Sequence, residues 1–198
     1  NSNDQRWIDA KVSEAKNAYI NKPIQKRNKS SSPKILNKEN WNIPNINLPN
    51  SLEIITWNCE FFPHANDSTI LALSEAVLDL DADIIAFQEL RRVGWFSKLM
   101  SYLPQYDYIV SKQASFMDLA IIYKSELFTL TRQYEPFSED DYNFAGRPPL
   151  QADLTYLQEN QQFPLSIINL HMKCCDSGLK RRKKAAQMLH NYLDKNYN

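Results

Sequence analysis

Cysteine is scarce in this chain: Cys59, Cys174 and Cys175 are the only three among 198 residues. An odd count excludes full pairing within the chain, adjacent cysteines rarely bridge each other, and no spacing suited to a zinc site is present. Excess charge is also missing. The 23 basic residues balance 23 acidic ones, so the net charge is zero. That excludes a binder that is basic throughout and leaves room for a local basic patch only. Long apolar runs are absent, and none approaches the roughly 20 residues a membrane helix needs. The chain opens on Asn1 with no initiating Met and no signal-type apolar region. The expectation from this is a processed secreted or periplasmic protein, or a trimmed form.

What is present argues for a packed core. Apolar residues make up 43% and aromatic ones 12%, which excludes general disorder. The length suits one domain with an extension, or one large domain. Residues 1–22 contain a helical stripe, Ile8, Val12, Ala15 and Tyr19, stopped by Pro23. Residues 23–51 are rich in Asn, Lys, Ser and Pro and read as a linker or wrapping arm, with Trp41 and Ile43 packing down. The domain then runs over 52–198. Strands are expected at 52–58, 83–88, 106–110, 118–123, 150–157 and 164–171, and helices at 68–80, 93–103 and 177–194. Asp67 or Ser68 is the expected cap of the second helix. The last helix should bury Leu179, Ala186, Leu189 and Leu193. A βαβ unit first and antiparallel strands later point to a layered α/β or α+β fold.

Strand 52–58, helix 68–80 and strand 83–88 form a crossover whose two strands end on the same side of a sheet. Asn58 ends the first and Glu89 follows the second. Ligands of open α/β sheets gather at such carboxyl ends. One carboxylate, one amide and water form a set that Mg²⁺ accepts. Two polar strand-end residues bonded to loop backbone would show the same spacing. A second convergence comes from the hairpin centred near Glu159 and Asn160, which brings Arg147 opposite His171 or Met172. A fixed guanidinium fork beside an imidazole can grip a phosphate, while a strand-end histidine satisfied by backbone is the plainer account of His171. Two prolines stiffen the approach to Arg147.

Four motifs carry a resemblance. WNCE at 57–60, DADIIAFQEL at 81–90, GRPPL at 146–150 and INLHMK at 168–173 resemble, in order and spacing, the endonuclease/exonuclease/phosphatase superfamily. Its branches include pancreatic-type deoxyribonucleases, exonuclease III-like AP endonucleases, neutral sphingomyelinases and inositol polyphosphate 5-phosphatases. The resemblance covers about residues 52–194. It implies a deoxyribonuclease I-like four-layer α-β-β-α sandwich, incomplete here, and a phosphodiester hydrolase using Mg²⁺ or Mn²⁺. It also implies roles. Glu89 matches the metal-binding glutamate. Asn58 matches the asparagine that organises metal and scissile phosphate. His171 matches the histidine that contacts the phosphate and shares acid–base work. Arg147 and Arg91 match arginines that some branches direct at nucleic-acid phosphates, and Arg91 also suits a solvated helix start.

The later family motifs, GD-x-N, a late Asp and SDH, do not occur in the sequence. The expectation is therefore a fragment, or a chain completed by a C-terminal segment or a second chain. Nuclease is the favoured activity. A phosphoinositide or sphingomyelin phosphoesterase acting on an anionic lipid head group is the alternative, as is a phosphate-binding module without catalysis. Smaller candidates stand aside from this reading. Residues 180–184 spell KRRKK, either a phosphate-facing patch or a solvated helix face. Cys174 and Cys175 are either a redox pair or small strand-end residues. Cys59 reads as packing, His64 as a loop residue, and Asp118 receives no role.

Overall fold

The computed structural model describes residues 41–91, 93–112, 117–158 and 161–197. The expected helix within 1–22 and most of the 23–51 arm lie outside these residues.

The β-branched run at the start of the domain forms β1 (Ile54–Phe62), followed by helix α1 (Asn66–Leu80) and strand β2 (Ile84–Leu90). β1 and β2 are parallel, in register from Ile54 opposite Ile84 to Asn58 opposite Gln88. Helix α2 (Val93–Met100) leads to β3 (Tyr106–Val110) and β4 (Asp118–Lys124), and the sheet order is β1-β2-β4-β3. β2 and β4 are buried along nearly their whole length, which is why both read as unbroken apolar runs. A second, antiparallel sheet holds β5 (Phe128–Tyr134), β6 (Leu150–Gln158) and β7 (Gln161–Asn169) in that order. Pro164 lies within β7, an edge strand of this sheet, where the missing N–H is tolerated. Helix α3 (Leu179–Tyr197) closes the described chain.

Side-chain alternation on the first sheet sorts two cores. Ile85, Phe87 and Leu90 of β2 face Ile70, Leu73 and Val77 of α1 and Phe96 and Leu99 of α2. Ile84 and Ala86 face the other way and join Leu119 and Ile121 of β4 against Phe128, Leu150, Ala152 and Leu154 of the second sheet. Each of these Ile, Leu, Val and Phe side chains, fully buried, contributes roughly 1.5–3 kcal/mol. α3 lies on the far face of the second sheet, where the Tyr192 hydroxyl donates to Oε1 of fully buried Gln151 at 2.7 Å. The layers are thus helix, sheet, sheet, helix.

Several boundaries depart from expectation. β1 runs four residues past Asn58, because the chain bulges rather than stops there. β5 was not expected: a shift in its pairing between Leu130 and Arg132 breaks the alternation that marks a strand. α1 takes Ala65 as its cap position with no side-chain cap, and Asp67 instead pairs with Lys98 at 2.6 Å. β7 stops at Asn169, so His171 lies beyond the strand. In α3 only Ala185 is fully buried, Leu179 and Leu193 are exposed, and so is Ala186. The inward face runs through Arg182, Ala185 and Tyr192 because a polar sheet face, not an apolar one, meets this helix. Trp41 is exposed, and the arm is held by backbone donors: Trp41 N–H to Glu75 Oε1 at 2.8 Å and Ile46 N–H to Leu80 O at 3.1 Å.

Candidate phosphate and cation site

The site is built by a bulge in β2. Phe87 pairs with Ala120 and Leu90 with Asp118, so two residues, Gln88 and Glu89, stand against one on β4. Against β1 the same place shows three residues, Cys59 to Phe61, facing Glu89 alone. Glu89 has a φ of 64°, in the left-handed region. Strict alternation from Phe87 would aim Glu89 into the core beneath the helices. The extra residue returns Leu90 to that core and turns Glu89 out of it. A carboxylate buried among Phe87, Phe96 and Leu99 would be costly, and the bulge removes that cost.

Glu89 Oε1 is the meeting point. Asn58 Nδ2 donates to it at 3.0 Å, and His171 Nε2 lies 3.4 Å away. Asn58 Oδ1 accepts the Glu60 N–H at 2.9 Å, which fixes which end of the amide faces the carboxylate. The expected convergence of Asn58 and Glu89 is therefore present, and the nitrogen of the amide is the end turned to Glu89.

His171 reaches this point because Asn169 ties the sheets together. Asn169 is 3% exposed. Its Nδ2 donates to Phe87 O at 2.8 Å and to Ala120 O at 3.0 Å, and its Oδ1 accepts from Gln88 Nε2 at 2.7 Å. One side chain thus joins the end of β7 to β2 and β4, two residues before His171. No role was expected for Asn169 or Gln88. The available signal was the pair of polar residues at the close of an apolar run, with Phe87 and Leu90 three apart.

Arg147 approaches from the segment before β6, where Ala145 and Gly146 are both left-handed (φ 62° and 71°) and Pro148 and Pro149 are buried. Its Nη2 donates to Met172 O at 3.5 Å and its Nη1 to Met117 Sδ at 3.4 Å. The hairpin register, Leu150 opposite Asn169, extrapolates to Arg147 opposite Met172, one of the two alternatives expected. Arg147 Nε and His171 Nδ1 are buried without a hydrogen-bond partner. Burial lowers the pKa of His171, and the Arg147 charge adds to this while Glu89 opposes it. Burial also lowers Arg147, with Glu89 again opposing. Arg91 stands apart. It is exposed, 5.9 Å from the Phe61 ring centroid, and no hydrogen bond joins it to the other four site residues among those described.

In KRRKK, Arg181 lies over the Tyr142 ring at 4.3 Å and Arg182 bonds the carbonyls of Lys173 and Cys175. Lys180, Lys183 and Lys184 are exposed. Two of the five cations thus serve the fold. Among the described residues no group of three His, Cys, Asp or Glu side chains is arranged to hold a metal ion. Among the described residues the carboxylate that Asn58 and His171 meet is that of Glu89, and a single carboxylate fits Mg²⁺ where water or substrate oxygens fill most positions. No described helix is long and apolar enough to cross a membrane.

No family model matches the chain and no curated protein matches it. Solved structures do. TDP2 of D. rerio, humanized by 14 mutations, is 17% identical with a TM-score of 0.60 over 73% of this chain and 60% of that one. A mannosyl-6-phosphatase of Bacteroides thetaiotaomicron is 18% identical, TM-score 0.55, over 75% and 62%. D. rerio TDP2 complexed with single strand DNA product is 16% identical, TM-score 0.55, over 74% and 56%. The chain spans about three fifths of the length of these structures. An endonuclease/exonuclease/phosphatase family protein of B. thetaiotaomicron is also similar, at 18% identity and a TM-score of 0.54 over 74% and 58%. The chain has the deoxyribonuclease I-like fold of these structures, over the part of their length that it spans.

Proposed function

We propose that this chain carries one half of a divalent-cation-dependent phosphodiester hydrolase site, with nucleic acid as the favoured substrate. One observation carries the reading: a bulge turns Glu89 out of the core to the point where Asn58 and His171 meet it at 3.0 and 3.4 Å. Among the described residues both contacts fall on Oε1, so Oε2 is the oxygen left to hold Mg²⁺ or Mn²⁺. Asn58 sets the carboxylate's orientation through Nδ2, and its Oδ1, engaged by the Glu60 N–H, would join the same ion only after the amide turns over. A cation there polarises a phosphate oxygen and neutralises developing charge. His171, held largely neutral by burial and by Arg147, donates to the phosphate or passes a proton. Arg147 has loosely engaged donors and an unpaired Nε, so a phosphate can recruit it with little to displace. Arg91 flanks the bulge and would contact a neighbouring phosphate of a longer substrate.

The DNA product in one similar TDP2 structure supports the nucleic-acid reading, and the similar sugar phosphatase keeps smaller phosphoesters or lipid head groups as the alternative. The remaining ligands and strands would come from a further segment or a second chain. The inner face of β1 supports that: Ile54 is 49% exposed, and Thr56 and Asn58 also lie open. Without such completion the site would bind phosphate and not cleave it.

The test uses the longest natural form of the protein with plasmid DNA and with a phosphoinositide panel, each with and without EDTA. Nicking that requires the cation and is lost in Glu89→Gln is the expected result. Nicking that survives EDTA overturns the cation's role, and full activity in Glu89→Gln overturns the site. Binding without turnover in the wild type leaves the phosphate-binding module as the function.

A further inference from the structure

Cys174 and Cys175 lie three and four residues beyond His171, and the hydrolysis proposed above does not use them. Both are exposed, and their Sγ atoms are 2.9 Å apart. Neighbouring side chains on an extended chain point to opposite sides. These two meet because Cys175 has φ 64° and ψ 175°, a conformation essentially confined to glycine. The loop that imposes it is tightly held. Arg182 Nη1 donates to Lys173 O and to Cys175 O, both at 2.7 Å, so one guanidinium nitrogen grips the carbonyls on either side of Cys174. The Gly178 N–H donates to Cys175 O at 3.1 Å. A Cβ at Gly178 would lie 2.8 Å from Lys173 O and 2.8 Å from Arg182 Nη1, so only glycine permits this closeness. Lys173 Nζ stands 4.0 Å from Cys174 Sγ. Contact with the Cys175 thiol, together with the charges of Lys173 and Arg147, favours the Cys174 thiolate.

A strained cysteine backbone, clamped by three hydrogen bonds from two donors and presenting two sulfurs side by side to solvent, is a built arrangement. A direct disulfide suits it poorly. Consecutive Cα atoms are about 3.8 Å apart across a trans peptide, below the roughly 4.4 Å at which ordinary disulfides begin. A larger soft centre spans the same two sulfurs without closing an S–S bond. We infer that Cys174 and Cys175 form a two-thiolate chelating site for a trivalent thiophilic centre, with arsenic(III) as its representative. With an arsenoxide R–As=O, two As–S bonds form and the As=O bond breaks. The two thiol protons leave with the oxygen as water, and arsenic stays trivalent throughout.

The test is titration of the reduced full chain with phenylarsine oxide, followed by intact mass and by counting thiols with an aromatic disulfide reagent. The expected result is one adduct per chain that removes two reactive thiols, resists millimolar 2-mercaptoethanol and is stripped by 2,3-dimercaptopropanol. Cys174→Ser and Cys175→Ser each lose chelation and bind about 100-fold more weakly. Cys59→Ser keeps the adduct, since burial pushes that thiol up to about 12. Arg182→Gln retains both thiols but frees the loop, and binds several-fold more weakly than wild type. A wild-type adduct lost to monothiol, or one equally stable in Cys174→Ser, overturns the site. Unchanged affinity in a folded Arg182→Gln, checked by circular dichroism, overturns the claim that the clamp builds it.

Discussion

Replacing Asn169 by Asp changes one NH₂ into one oxygen and leaves the shape of the side chain. In the native structure that NH₂ donates to Phe87 O at 2.8 Å and Ala120 O at 3.0 Å, in a residue 3% exposed. A carboxylate has nothing to donate, so the oxygen that replaces Nδ2 would face both carbonyl oxygens at those distances, while the other keeps the Gln88 Nε2 donor. Each hydrogen bond lost is worth about 0.5–1.5 kcal/mol net, and each buried group left unpaired costs about 1–3 kcal/mol. A buried charge without a partner costs about 3–5 kcal/mol. The carboxyl responds by keeping its proton, which restores one donor and limits the damage. The expected loss for Asn169→Asp is therefore about 3–5 kcal/mol at pH 7, and smaller at pH 5 where protonation is easier. Urea unfolding followed by tryptophan fluorescence reads this directly, with Asn169→Ala as the uncharged comparison. A variant within about 1 kcal/mol of wild type at pH 7 would show that the two sheets are not joined through this side chain.

Asp118 offers a test of the opposite sign. Burial, helped by the charge of Glu135 and opposed by the Ser111 hydroxyl, pushes its carboxyl up to about 7. The raised value means that stability is fully present below about pH 4 and is lost as pH rises to about 7, by at most roughly 4 kcal/mol. Asp118→Asn should flatten that part of the pH–stability profile and be the more stable protein at pH 8; a profile identical to wild type refutes the assignment. His171 is testable by imidazole NMR titration. Its pKa should fall below the ordinary histidine range, rise in Arg147→Met and fall further in Glu89→Gln, because the first charge disfavours and the second favours the imidazolium. Equal values in all three proteins would mean that these side chains do not share one site.

Much of this architecture was legible because burial on two faces leaves a plain mark. The runs that became β2 and β4 are apolar throughout, and the helices on one side follow their own period. The hairpin register could be counted from its turn, and the extrapolated Arg147–Met172 pairing matches the observed contact. β5 escaped because only some of its residues touch the core and its pairing slips between Leu130 and Arg132. The α3 face was misplaced because its partner is a polar sheet surface, and apolar periodicity cannot report a contact made by Tyr192 and Gln151. Within the site, Glu89 and Asn58 were legible from the crossover. Asn169 was not, since its importance lies in carbonyls supplied by two other strands, and a sequence does not show which carbonyls a side chain will meet.

The single extra residue at Gln88–Glu89 has a consequence for how this site tolerates change. Side chains along a strand have only two directions, so orientation here is counted in whole residues and cannot be adjusted by degrees. Deleting one residue between Phe87 and Leu90 would return the strand to simple alternation with both of them still facing the core, and leave one side chain between them where there are now two. Point substitutions around Glu89 can therefore vary its strength gradually, whereas a length change of one residue would remove the carboxylate from its neighbours in one step. Length in this stretch is the quantity that the geometry holds fixed.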